Sequence, residues 1–144
     1  MKDAKHNTGS DPLAPLHRLE FILQHKADQL LRAQLGVGFG QMRIMEELSP
    51  TKACSQRQLA SKLYQTESNI SRQLRLLEAK ELVNIARNPG DKRQRQVTLT
   101  NKGTQTYTKA QKILADLHKQ TIAKLDYRDV FNFGETAAKL LKSL

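Results

Sequence analysis

Ser68, Asn69, Ser71, Arg72 and Arg75 crowd five polar side chains into eight positions, and Arg87, Lys92, Arg93 and Arg95 put four cations into nine. The chemistry these residue types offer is hydrogen bonding and charge. A guanidinium can pair bidentately with guanine O6 and N7 or grip a phosphate, and Ser and Asn are short enough to let a backbone approach base edges. Catalytic signatures are missing: there is no Gly-rich phosphate loop, nucleophile elbow or metal-protease pair, and the acidic residues are scattered along polar faces. His17, His25 and His118 lie far apart, His6 sits in a polar tail, and no metal or other cofactor is expected.

Both groups need elements to hold them. Thr66 is a good N-cap with Glu67 in the first turn, so a helix should run to about Lys80. At about 100° per residue, Ile70, Leu74 and Leu77 fall on one side and Ser68, Arg72 and Arg75 on the other. Just upstream, Ser55-Gln56-Arg57-Gln58 reads as a capping box that opens a short helix with Leu59, Ala60 and Leu63 as its buried stripe. After Leu82 the period becomes two: Val83, Ile85 and Arg87 alternate with Asn84 and Ala86, Asn88-Pro89-Gly90-Asp91 turns the chain, and Gln94 to Thr100 returns as a second strand. Helix, turn, helix and basic hairpin is the order of a winged helix-turn-helix. The helix would meet a major groove, and Lys92, Arg93 and Arg95 near the hairpin tip would meet the adjacent minor groove. Asp91, repelled by phosphate, is expected to pair with Arg93 and shape the wing.

Charge agrees with a polyanionic partner. The 144 residues carry 24 Lys and Arg against 14 Asp and Glu, a formal net charge of +10, and ten of those cations but only four of the acids lie between positions 50 and 100. A single cysteine, Cys54, excludes an internal disulfide and reads as a small buried hydrophobe, with redox sensing as the alternative. Apolar runs are too short to span a bilayer, and the first residues have no apolar core of a signal peptide, so a cytoplasmic protein with no membrane partner is expected.

The rest of the chain supplies further helices. Residues 1 to 11, with Asn7, Gly9 and Ser10, read as a flexible tail. Leu16, Leu19, Leu23, Ala27 and Leu30 then mark a helix that should stop near Gly36, Gly38 and Gly40; a second carries Met42, Met45 and Leu48 up to Pro50. Beyond Thr100, Tyr107, Ala110, Leu114 and Leu117 form the stripe of a long helix, and Phe131, Leu140, Leu141 and Leu144 mark a last one. Such apolar stripes in a small chain call for a partner.

These pieces resemble the MarR family of transcription regulators. The likeness rests on Gln58-Leu59-Ala60, Glu67-Ser68-Asn69-Ile70-Ser71-Arg72, Leu77-Glu78-Ala79-Lys80-Glu81-Leu82-Val83, Asn88-Pro89-Gly90-Asp91-Lys92-Arg93 and Val97-Thr98-Leu99-Thr100-Asn101-Lys102-Gly103, with Phe39 to Met45 resembling the second helix. Two departures stand out: Glu81 where the family usually has Gly, which implies about 1 kcal/mol of backbone strain or a different helix exit, and the Gly38-Phe39-Gly40 turn.

The resemblance implies a mainly α fold with a small β-hairpin wing (α+β). Residues 12–144 would form one domain, with 12–35 and 104–144 as dimerisation helices and 37–103 as the DNA-binding head. It implies a homodimer on a pseudo-palindromic double-stranded operator, acting as a repressor released by a small aromatic or phenolic effector. By analogy the effector pocket lies near His17, Arg18 and Arg43. The rival expectation is a basic winged-helix module that coats nucleic acid without site-specific regulation.

Overall fold

The computed structural model describes residues 11–144, apart from the side chains of Lys92 and Arg93. The expected tail therefore lies outside the described residues except for Asp11. Helix α1 spans Ala14–Leu35 and ends at Gly36, whose φ of 68° lets its N–H reach back to the Arg32 carbonyl. Helix α2, Phe39–Glu46, stops earlier than the Pro50 signal suggested, although Leu48 beyond it is still buried.

The head follows as β1 (Cys54–Ser55), α3 (Gln56–Lys62) and α4 (Glu67–Ala79), then β2 (Val83–Asn88) and β3 (Asp91–Leu99). Both expected caps are present: Ser55 Oγ accepts from Gln58 N–H at 3.0 Å while Gln58 Oε1 accepts from Ser55 N–H at 2.8 Å, and Thr66 Oγ1 accepts from Asn69 N–H at 3.2 Å. Strand β1 was not foreseen. It pairs Cys54 with Val97 and Ser55 with Gln96, so the wing is anchored as a three-stranded antiparallel sheet of order β1-β3-β2 and is not a free hairpin. Strand β3 also begins at Asp91, ahead of Gln94. The register jumps between Arg87↔Arg95 and Asn88↔Asp91, which leaves three extra residues, 92–94, on the β3 side of the tip.

Helices α3 and α4 both end in a Schellman turn closed by a residue other than glycine. Gln65 N–H bonds the Ala60 carbonyl and Tyr64 N–H that of Ser61; Leu82 N–H bonds Leu77 and Glu81 N–H bonds Glu78. Tyr64 (φ 53°) and Glu81 (φ 61°) therefore sit in the left-handed region. Of the two exits foreseen for Glu81, the strained one is adopted. Leu82, the residue after the turn, drops into the head's core with Leu77, Ile70 and Leu74 from α4 and Val83, Val97 and Leu99 from the sheet.

Helix α5, Asn101–Ile122, starts where Thr100 Oγ1 accepts from Gly103 N–H at 2.9 Å and donates to the carbonyls of Glu81 and Leu82. Gly103 is required there, since a Cβ would stand 2.1 Å from the Leu82 carbonyl oxygen. A second apolar cluster of Leu31, Met42 and Ala110 joins α1, α2 and α5. Helix α6, Tyr127–Ser143, buries none of its residues; Phe131, Leu140 and Leu141 are exposed, as are Leu16 and Leu19 of α1 and the terminal Leu144. No described helix is long and apolar enough to cross a membrane.

Candidate nucleic-acid interface

Helix α4 sorts its residues as the angular argument requires. Ile70, Leu74 and Leu77 are buried, Ser68, Arg72 and Arg75 are exposed, and Asn69 and Ser71 are half-buried at the flanks. Asn69 does not simply face outward. Its amide donates to Gln65 Oε1 at 2.7 Å and its oxygen accepts from Arg72 Nη2 at 2.9 Å, so it steadies the Arg72 fork.

The wing leans over this face. In β3, Arg95 continues the side on which Val97 and Leu99 are buried, and beyond the edge of the core that side overhangs the start of α3 and α4. Beneath it lies a cavity of about 490 Å³ lined by Ser55, Gln56, Arg57, Glu67, Ser71, Asp91, Gln94 and Arg95. A second hollow of about 370 Å³ adds Ser68, Arg72 and Arg75 and shares Gln56, Glu67 and Ser71 with the first. Together they form one open trough from the tip half of the wing along the outer face of α4. Arg87 and Arg95 are direct cross-strand partners and both are exposed. Like charges in that arrangement repel, and a bound anion relieves the repulsion.

Asp91 lines the trough wall; its expected pairing with Arg93, like the roles of the Lys92 and Arg93 side chains, lies outside the described residues. Arg57 escaped the sequence reading. Nothing in its immediate surroundings marks it, because it reaches the trough only through the β1–β3 pairing that folds the wing back over α3.

Other expected sites separate. A cavity of about 440 Å³ between α1, α2, α5 and α6 is lined by Leu16, Leu19, Leu23, Ala27, Phe39, Arg43, His118 and Phe133, among others. Of the three residues expected at an effector pocket, only Arg43 lies on this wall, 3.1 Å from Glu46; His17 and Arg18 are exposed on α1 and do not line it. His118 was missed, although its spacing from Ala110 and Leu114 continues one helix face. Cys54 is buried in β1, and that burial pushes its thiol pKa up, against the thiolate a redox sensor needs. Among the described residues no three His, Cys, Asp or Glu side chains gather in a metal-binding group.

A helix-turn-helix with a polar, basic outer face, flanked by a hairpin whose arginine overhangs it, defines a winged helix-turn-helix protein. Residues 35–94 match the model of the MarR family. The fold also matches MepR of S. aureus in its DNA complex (21% identity, TM-score 0.77, covering 94% of this chain and 99% of that one) and the transcriptional regulator BldR of Sulfolobus solfataricus (22%, 0.76, 90% and 91%). A mutant E. coli MarR bound to operator DNA matches at 25% identity and TM-score 0.71 over 92% of this chain and 99% of that one. No curated protein matches in sequence. The resemblance to the MarR family is thus borne out, and the fold is that of MarR-type transcription regulators.

Proposed function

We propose that this chain is a dimeric, sequence-specific double-stranded DNA-binding regulator, acting as a repressor. The observation that carries the reading is the trough itself: Arg72 and Arg75 on the face of α4, with Arg57 and Arg95 converging from α3 and the wing. Ser68, Asn69, Ser71, Arg72 and Arg75 meet base edges in the major groove, with Arg72 held in place by Asn69. Arg57, Arg87 and Arg95 grip the backbone, together with Lys92 and Arg93 at the tip. Residues 37–103 act as the reading head. The terminal segments 12–35 and 104–144, with the exposed apolar sides of α1 and α6, pair two copies, so that the heads meet successive major grooves of a near-palindromic site.

Selection of bound duplexes from a random pool tests this. A palindromic motif with half-sites about one helical turn apart is the expected result; recovery of unselected sequence at low salt supports the coating module instead.

A second observation favours an effector. The cavity between α1, α2, α5 and α6 combines apolar walls, Phe39 and Phe133 with the polar Glu20, Gln24, Arg43 and His118, a composition suited to a small aromatic or phenolic acid whose binding releases the operator. Isothermal titration against a panel of such acids, repeated with Arg43→Ala, checks it.

A further inference from the structure

The connector between α1 and α2 is laced to the middle of α4 by polar contacts that the reading above does not use. Gly38, at the N-cap of α2, has no side chain to cap it. Asp28 of α1 substitutes from a distance, its Oδ1 accepting the Phe39 N–H at 2.8 Å while its Oδ2 pairs with Arg32 Nε at 2.7 Å. Gln41 Oε1 accepts the Gly38 N–H at 3.2 Å, and Gln41 Nε2 donates to Gln73 Oε1, also at 3.2 Å. Gln41 is only 5% exposed, so this polar link is carried inside the protein. Two turns further on, at the C-cap of α4, Lys80 Nζ donates to the Gly36 carbonyl.

Apolar contacts between Ile70, Leu74, Leu77 and the core are non-directional and tolerate small rotations of α4, whereas a hydrogen bond does not. A rotation of about 20° at a radius of about 6 Å, where the side chains of a helix end, swings a side-chain tip by about 2 Å, enough to break a bidentate base contact. A single buried polar link that selects one arrangement among several near-equal apolar ones is a known use of such groups.

We propose that the Asp28–Phe39–Gln41–Gln73 chain fixes the rotation of α4 relative to α1, making Gln41 and Gln73 positioning residues for base reading. The proposal rests on the reading of α4 as the DNA-facing helix. Gln41 itself is too buried to touch DNA, so an effect of its loss on sequence discrimination must pass through α4.

The test uses the full chain, a palindromic duplex obtained by selection, and a scrambled duplex of equal length. In Gln41→Leu and Gln73→Leu, affinity for the palindrome should fall about fivefold to tenfold, the worth of one hydrogen bond. Affinity for the scrambled duplex and its salt slope should stay close to wild type, the melting temperature should fall by no more than the several degrees that one or two hydrogen bonds are worth, and the double variant should lose no more discrimination than Gln41→Leu alone. Asp28→Ala should lower the same ratio from a position on α1. Should Gln41→Leu melt early, Gln41→Met gives a flexible apolar replacement for the same comparison. Unchanged discrimination, equal losses on both duplexes, or additive losses in the double variant would overturn the positioning role while leaving DNA reading intact. Failure of the wild-type chain to select any motif would overturn both.

Discussion

Gly103→Ala puts a methyl group where the head meets α5, and the structure sets the size of the response. The new Cβ would lie 2.1 Å from the Leu82 carbonyl oxygen and 2.8 Å from Leu99 Cδ1, so the backbone must part by about 1 Å to reach ordinary contact. That carbonyl accepts from Thr100 N–H at 3.1 Å and Thr100 Oγ1 at 3.0 Å, and both bonds lengthen if it moves. Overpacking typically costs about 1 to 3 kcal/mol and a weakened hydrogen bond about 1, against a gain of at most about 1 for Ala over Gly in a helix. A net loss of about 2 kcal/mol follows. Urea denaturation at one fixed protein concentration should show a lower midpoint with an unchanged slope. Gly40→Ala is the control, because Gly40 lies in the first turn of α2 with nothing within 4 Å of a built Cβ; it should be neutral or stabilising by up to about 1 kcal/mol. If Gly103→Ala matched the wild-type midpoint, the close approach at Leu82 would not be what demands glycine.

Three further outcomes are expected. Glu81→Gly should stabilise by about 1 kcal/mol by removing a left-handed side chain, since the Lys102 partner at 3.7 Å is solvent-exposed and holds little; a lower denaturation midpoint would count against the strain. Arg72→Ala should cost about 1 to 3 kcal/mol on the selected duplex and relax one base position, whereas Arg57→Ala should weaken all duplexes alike and lower the salt slope by about one. Identical, salt-insensitive losses in both variants would refute that division. Asp28 is held below the usual carboxylate range by its bond from Arg32, with the Phe39 N–H acting in the same sense. Its native pKa is lowered, so its stabilisation is full above about pH 4 and fades as pH falls through the native value. Asp28→Asn should flatten that acid limb of the stability curve, and an unchanged limb would assign it to other groups.

Local signals predicted much of this protein and stopped at its long-range contacts. Capping chemistry at Ser55 and Thr66, the buried stripe of Ile70, Leu74 and Leu77, and the switch to period two after Leu82 are properties of neighbouring residues, so the chain alone determined the helix-turn-helix, the wing and the polar face of α4. The left-handed backbone at Glu81 was one of the two exits that the resemblance implied, since the MarR family usually has Gly there. Tyr64 at the end of α3 takes the same conformation with no such signal in the sequence.

What only the tertiary structure decided depends on segments distant in sequence. The two-residue strand β1 is too short to carry a pattern of its own, yet its pairing with β3 brings Arg57 under Arg95 and makes the trough. Packing of α1, α2, α5 and α6 drew Arg43 and His118 to one cavity and left His17 and Arg18 in solvent. Gln73 looked like one more polar helix residue until the fold placed it 3.2 Å from Gln41, 32 positions earlier. Helix periodicity can show which side of a segment is buried, but the partner that buries it is set by the packing of the whole chain.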